Sequence, residues 1–288
     1  MVIKRRTVWT SLLVGAALVP SAAPSIADAA AAASAAALDA ASQAAGAGHN
    51  GYLITVADSV STQGGEGGEG GVDFEKAALD PAVFLVALDV IRAHYLCGRD
   101  AYLEGNKEAG AQMFAHPIGE VYVGLAPVVA KLGIADFEGK MQDAVGLASA
   151  GGDVKAVAAA VNDVLAALDA AGAKAPRSQD SKVRIEAQVL GEILNRAALQ
   201  YSSAQAPDAT EARLDGYGFY KAAAARAPVA MPMIAAQSPE AAQLVQAALD
   251  GLARAFPSAT GPAPANPPEP GVVLAAISKA GLALSGLR

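Results

Sequence analysis

The chain has 288 residues, enough for one or two domains with a sizeable core, and 53% of them are hydrophobic, a share dominated by alanine with few aromatics. Because alanine is the best helix former, this composition predicts an all-α fold. The net charge of −7 gives no indication of a protein that binds nucleic acid or an anionic membrane surface.

The first residues have the pattern of an export signal. A basic segment, MVIKRR, precedes the apolar run VWTSLLVGAALV, and PSIADA supplies small residues for cleavage. We expect residues 1–27 to be a signal peptide, cut after Ala27 or Ala29, and the general secretory route rather than twin-arginine export. The mature protein is then expected in the bacterial periplasm.

Two further features bear on the compartment. Cys97 is the one cysteine in the sequence, which excludes an internal disulfide and a CxxCH haem site. The most apolar later stretch, PAVFLVALDVIRAHYLCG, is interrupted by Asp89 and Arg92. We therefore expect no membrane span after signal cleavage.

A composition change marks the domain boundary. Residues 28–73 begin with an alanine-rich stretch that has no apolar stripe, and they end with STQGGEGGEGGVD, which is typical of a flexible linker. From residue 74 onward the apolar residues follow a helical period. We predict a flexible N-terminal region over 28–73 and a helical-bundle domain over 74–288.

Helix start and stop signals divide the domain into about eight helices. Caps such as Asp80-Pro81, Asp153 and Ser238-Pro239 precede apolar periodic segments. The predicted helices cover 81–104, 107–115, 117–132, 136–148, 153–172, 181–201, 210 to the APVAMP segment, 238–256 and the last apolar segment, VVLAAISKAGLALSGL. Short connections between them predict a bundle built from antiparallel hairpins.

One histidine is expected inside the bundle. In the helix that begins at Pro81, a polar stripe is formed by Asp89, Arg92, Arg99, Asp100 and Glu104. His94 falls on the opposite, apolar face. Two interpretations stay open for it, a hydrogen-bonded core histidine and a metal ligand.

Glu186 is the least ordinary residue of the sequence. It lies in the middle of the apolar face of its helix, with Leu190 and Ile193. A buried carboxylate is costly unless it is paired, hydrogen-bonded or neutral. We consider two alternatives, a salt bridge to an inward arginine, Arg213 or Arg226, and a role as a ligand.

The segment AQMFAHPIGEVYVGL contains the second candidate histidine. Pro117 suits a first helical turn, so His116 is predicted to cap the helix, and Glu120 then lies in the first turn, where the helix dipole favours a negative charge. A histidine at a helix end is also well placed to bind a metal. His116 and Glu120 are therefore candidate ligands beside a purely structural interpretation.

Other chemistry has weaker support. Met231-Pro-Met233 is an MxM element, predicted in a loop, and thioethers bind Cu(I), although packing methionines are the more common case. The sequence has no phosphate loop, no GxSxG and no HExxH. The chain is therefore predicted not to be an enzyme.

Residues 74–225 resemble exported bacterial all-α proteins. RAHYLCGRDAYLEGNKEAGAQMFAHPIGEVY and ILNRAALQYSSAQ, followed by EARLDGYGFYKAA, are similar in style to imelysin-like proteins and to the periplasmic helical domains of iron permeases. That resemblance implies that inward histidines and carboxylates handle iron. The GxHxxE motif of imelysin-like proteins is matched here by His116-Pro-Ile-Gly-Glu120, which is one residue longer.

The sequence thus predicts a periplasmic helical-bundle binding protein associated with metal handling or uptake, iron before copper. The candidate ligands are His94, His116, Glu186 and Glu120, since imidazole and carboxylate suit iron or zinc. A membrane transporter or another envelope protein is the expected partner. The alternative is an envelope scaffold or adaptor without metal.

Overall fold

The structure is a computed structural model that describes residues 71–288, and no strand occurs in that part of the chain. The predicted all-α bundle is confirmed. The predicted signal peptide and nearly all of the 28–73 region lie outside the described residues. The helices are α1 Phe74–Ala77, α2 Pro81–Leu103, α3 Lys107–Pro117, a π-helical segment Ile118–Tyr122, α4 Val123–Lys131, α5 Glu138–Ser149, α6 Val154–Gly172, α7 Lys182–Ser203, α8 Thr210–Gln237, α9 Pro239–Ala255 and α10 Pro270–Ser285.

Side-chain caps explain most of the helix starts. The side chains of Asp80, Asp153, Ser181 and Ser238 each accept a hydrogen bond from a backbone N–H in the first turn of α2, α6, α7 and α9. These bonds satisfy donors that have no partner inside the helix. The predicted starts of these four helices are confirmed to within a residue.

Helix α2 is the centre of the bundle. It packs against α3, α6, α7 and α8, and 17 of its 23 residues are buried. A helix surrounded on so many sides has little solvent-facing surface. Polar residues of α2 are consequently buried as well, and these residues form the candidate site.

Helices α2 and α3 approach each other through glycines. A Cβ atom on Gly98 would lie 2.5 Å from the ring of Phe114 and 2.9 Å from the carbonyl oxygen of Gly110. Only hydrogen atoms fit in that space, so the two backbones pack closely. This contact fixes α3, which carries His116, against α2, which carries His94.

The chain around His116 differs from the prediction. His116 lies in the last turn of α3, and Pro117 is inside that helix rather than at the start of a new one. The predicted cap at His116 is therefore wrong. Pro117 has no N–H to donate to the preceding turn, and the chain continues without a break into the π-helical segment and α4. Wider π-turns of this kind are frequent at functional sites.

Helix α8 is also longer than predicted. It runs through Pro228 and Pro232 to Gln237, so the APVAMP segment does not end it. Met231 and Met233 are part of this helix and pack against the core, and the predicted loop position of the MxM element is wrong. Burial of the flanking Ala230 and Ile234 shows why the helix continues, because tertiary packing outweighs the cost of the prolines.

Two helical stretches among the described residues are long and apolar enough to cross a membrane, judged by length and composition alone. They are Pro81–Leu103 and Lys107–Lys131, and 83% of the apolar window of the first is buried inside the bundle. A buried core helix meets the same criterion, so the absence of a membrane span stays a prediction.

Candidate metal centre

Two groups of polar side chains lie at the interface between α2 and α8, and each group includes buried members. The ion network consists of Asp89 and Arg92 from α2, Glu186 from α7 and Arg226 from α8. The histidine cluster consists of His94 from α2, His116 from α3, and Glu211 and Asp215 from α8. Asp89 pairs with Arg226 and Asp100 with Tyr217, so α2 and α8 run antiparallel.

Arg226 is the centre of the ion network. Its guanidinium donates to the carboxylate of Asp89, and its Nη1 donates to Oε2 of Glu186 at 2.6 Å. Arg92 donates to the other oxygen of Asp89 at 3.1 Å and to Asp169 at 2.6 Å. Burial alone would lower the pKa of Arg226, but the charges of Asp89 and Glu186 and their hydrogen bonds raise it above its usual value. Every charge in this network therefore has an opposite charge in contact.

The ion network shows which arginine contacts Glu186, and it corrects the predicted position of Asp89. Glu186 is buried, and of the two arginines considered for it, Arg226 is the partner. Arg213 instead donates to the carbonyl of Gly261. Asp89 was predicted on the polar stripe, but it is 1% exposed, because the side of α2 that carries it is covered by α7 and α8.

His94 is buried as predicted, at 1% exposure. Its Nδ1 lies 2.9 Å from the carbonyl oxygen of Val90, one turn earlier in α2. A carbonyl only accepts hydrogen bonds, so Nδ1 carries the proton and Nε2 presents a lone pair. That Nε2 atom has no hydrogen-bond partner among the described residues, and it lies 3.7 Å from Oδ1 of the buried Asp215.

His116 comes within reach of His94 from the neighbouring helix. The two rings are edge to face, with centroids 6.3 Å apart. Nδ1 of His116 has no hydrogen-bond partner among the described residues, and it lies 3.8 Å from Oε1 of Glu211. Both carboxylates are thus slightly beyond hydrogen-bond distance of a histidine nitrogen.

The surroundings keep His94 neutral. Burial lowers the pKa of His94 to about 4, an effect that the Val90 hydrogen bond opposes and the nearby His116 reinforces. Neutral imidazole is the form of histidine that binds metals. Cys97, one turn further along α2, is buried, and burial together with the charge of Asp215 raises its thiol pKa well above the usual value.

The side chains do not enclose an ion as they stand. Within residues 71–288, no group of three or more His, Cys, Asp or Glu side chains is close enough together to hold one. The two histidine rings are within about 1 Å of the separation that a shared ion requires. With metal–nitrogen bonds of about 2.0–2.1 Å, two imidazoles on one tetrahedral ion have centroids roughly 5 Å apart, so the rings, at 6.3 Å, would have to move closer.

The structure therefore brings together two of the four predicted ligands. Glu120 is exposed in the π-helical segment, and Glu186 belongs to the ion network. Sequence reasoning missed Glu211 and Asp215. The signal for Asp215 was present, because it lies between Leu214 and Tyr217 in an otherwise apolar segment, the same pattern that singled out Glu186.

Comparisons with known proteins give no relative. The chain matches no protein-family model, and neither the curated proteins nor the solved structures include a significant match. The resemblance to imelysin-like proteins therefore stays a prediction.

Proposed function

We propose that this protein is an exported helical-bundle binding protein that holds a divalent transition-metal ion, iron before other metals, between His94 and His116. The observation that carries the proposal is a pair of histidine nitrogens, on adjoining helices, that lack hydrogen-bond partners among the described residues. A buried polar atom without a partner costs free energy, and an ion between the two nitrogens would remove that cost.

The chemistry of the pair supports a metal rather than a catalytic role. His94 is too strongly desolvated to exchange protons near neutral pH, so it is a poor general acid or base there. A neutral imidazole fixed by a hydrogen bond from its other nitrogen is the usual state of a metal-ligating histidine. The Nδ1–H bond to Val90 provides that arrangement for His94.

Metal analysis of untagged protein tests this proposal. We expect protein isolated from a periplasmic extract to contain about one transition-metal ion per chain, in line with a single two-histidine site. His116→Gln should lose the ion, because the amide of Gln does not replace Nδ1. Glu120→Gln is the matched control and should keep it. Wild-type protein that stays metal-free after exposure to Fe²⁺, Zn²⁺ and Co²⁺ would refute the proposal.

Export and a transporter or other envelope partner belong to the same proposal. They are supported by the basic and apolar pattern of residues 1–27 and by the resemblance over 74–225. The intact mass of the periplasmic protein should correspond to a chain that begins at Asp28 or Ala30. A mass that includes the apolar N-terminal run would contradict cleavage.

The alternative function is an envelope scaffold without metal. Apolar side chains exposed on α10 favour it, since Val272 is 64% and Leu282 is 77% exposed. A scaffold should keep its partner binding and its stability after treatment with a chelator. A metal-binding protein should lose stability on the same treatment, because an ion that binds the folded state stabilises it.

A further inference from the structure

We propose that the π-helical segment Ile118–Tyr122 is a hinge, and that His116, rather than His94, moves on it when an ion binds between the two histidines. The inference rests on the proposed function and adds the motion that the site requires. The two rings have centroids 6.3 Å apart, whereas two imidazoles on one tetrahedral ion have centroids roughly 5 Å apart. One histidine therefore has to approach the other by about 1 Å.

Several contacts fix His94. It is 1% exposed, and its Nδ1–H donates to the carbonyl oxygen of Val90 at 2.9 Å. The ring of Phe219 from α8 packs edge to face against it, with centroids 6.4 Å apart. A shift of the His94 ring would break a buried hydrogen bond and disturb close-packed neighbours, and both effects cost free energy.

His116 is less constrained. Its side chain is 30% exposed, and its Nδ1 lies 3.8 Å from the carboxylate of Glu211, beyond hydrogen-bond distance. It lies in the last turn of α3, directly before Pro117, which has no N–H to donate to the helix. This turn therefore has one backbone hydrogen bond fewer than a regular α-helical turn.

The segment that follows His116 has the geometry of a hinge. The N–H of Val123 bonds to the carbonyl oxygen of Ile118, five residues earlier, as in a π-helix. Such a turn contains one residue more than an α-helical turn, and each α-helical residue adds about 1.5 Å along the axis. Opening or tightening this single turn can therefore displace His116 by about 1 Å, the distance that the ion requires.

The hinge also has space on its outer side. Gly119 is exposed, and apart from its own helix no atom of the described residues lies within 4 Å of a Cβ atom built on it. Glycine has the widest range of backbone dihedral angles. The turn that has to change its geometry therefore contains a residue that adapts easily and meets no neighbour.

Both ends of the moving part are anchored. Before His116, the ring of Phe114 is fully buried against α2, in the space that Gly98 leaves open. After His116, the hydroxyl of Tyr122 donates to Asp136 and accepts a hydrogen bond from the backbone N–H of the next residue at 3.2 Å. The motion is thus confined to the chain between these two aromatic side chains, and the rest of the bundle keeps its packing.

Hydrogen exchange of metal-stripped and Co²⁺-loaded protein tests the hinge separately from binding, which equilibrium dialysis measures on the same samples. Peptides over residues 115–122 report on the hinge, and peptides over residues 86–98 report on the backbone around His94. At exchange times of minutes, we expect Co²⁺ to slow exchange in the first group by on the order of 10-fold, while the second group stays protected in both forms. His116→Gln is the control and should show no slowing.

Crystal structures of the two forms, superposed on α2, measure the displacement itself. We expect His94 to stay in place and the ring of His116 to lie about 1 Å closer to it in the Co²⁺-loaded form. Bound Co²⁺ without slower exchange over residues 115–122, or with His94 as the residue that moves, would overturn this inference and leave the proposed function intact. A wild type that binds no Co²⁺ would overturn both.

Discussion

The ion network and the histidine cluster occupy the same interface, yet they differ in how their charges are satisfied. In the ion network, Arg226 contacts two carboxylates and Arg92 supports one of them, so donors and acceptors are matched. In the histidine cluster, Nε2 of His94 presents a lone pair 3.7 Å from Oδ1 of Asp215, and Nδ1 of His116 lies 3.8 Å from Oε1 of Glu211. Removing one partner of the ion network would leave a buried charge without its opposite charge, whereas a neutral histidine nitrogen without a hydrogen-bond partner is the form of histidine that binds a metal ion.

The largest expected effect comes from removing the central cation of the matched network. Arg226→Met leaves the carboxylates of Asp89 and Glu186 buried with one charged partner fewer. We expect the free energy of unfolding to fall by about 3–5 kcal/mol. Urea denaturation measures it. A loss below about 1 kcal/mol would mean that the network is not a major contributor to stability.

The second prediction is that His94 makes the stability of the metal-free protein depend on pH. The unfolded chain takes up a proton at His94 below pH 6.5, but the folded protein does so only near pH 4. The unfolded state therefore binds more protons in this window, and stability rises with pH through it. His94 should contribute about 3 kcal/mol of pH dependence between pH 6.5 and 4 in the metal-free protein.

His94→Asn should remove that contribution. Asp215 and His116 face His94 and are themselves titratable. Their contribution is present in both proteins, so the free energy of unfolding of the variant is compared with that of the wild type at each pH by urea denaturation. Identical pH dependence in the two proteins would show that His94 does not stay neutral on folding.

The third prediction separates Glu186 from the metal. Glu186→Gln removes one of the two carboxylates that contact Arg226, while Asp89 remains as its partner. We expect a loss of about 1–3 kcal/mol in stability, smaller than for Arg226→Met, because the cation keeps one ion pair. Metal affinity should not change. A variant of full stability that binds the ion more weakly would place Glu186 among the ligands.

The fourth prediction concerns Gly218, where α8 approaches α2 closely in the interface that contains the ion network and the histidine cluster. Gly218→Ala would push α8 away from the Ala93 carbonyl, and we expect a loss of about 1–3 kcal/mol. Gly146→Ala in α5 is the control, since nothing lies within 4 Å of its added Cβ, and it should stabilise the protein by about 0.5–1 kcal/mol. Thermal unfolding of both variants measures the contrast. Equal effects would mean that the α2–α8 contact tolerates a wider spacing.

Local chemistry explains which features could be predicted from the sequence. Caps such as Asp153 and Ser238 accept hydrogen bonds from backbone N–H groups within three residues, so these helix starts could be predicted from the local sequence. Burial of His94 and Glu186 followed from a period of 3.6 residues, which needs no knowledge of other helices. The same logic applied to Asp215 would have marked it as a buried carboxylate.

The remaining features depend on contacts between distant parts of the chain. The helical period places Asp89 on a polar stripe, but α2 is surrounded by other helices. Arg226, 137 residues later in the chain, donates a hydrogen bond to its buried carboxylate. The prolines of α8 indicated a helix end, and only packing of the residues around them overrides that signal. The meeting of His94, His116 and Asp215 involves three helices, and no spacing within one helix predicts it.

The most direct test of the account is the number of Co²⁺ ions bound per chain in metal-stripped wild type, His94→Asn and Glu186→Gln, measured side by side by equilibrium dialysis. We predict about one ion in the wild type and in Glu186→Gln, and none in His94→Asn, because His94 supplies one of the two histidine nitrogens that hold the ion. An ion retained in folded His94→Asn, or lost in folded Glu186→Gln, would contradict the division between the two regions.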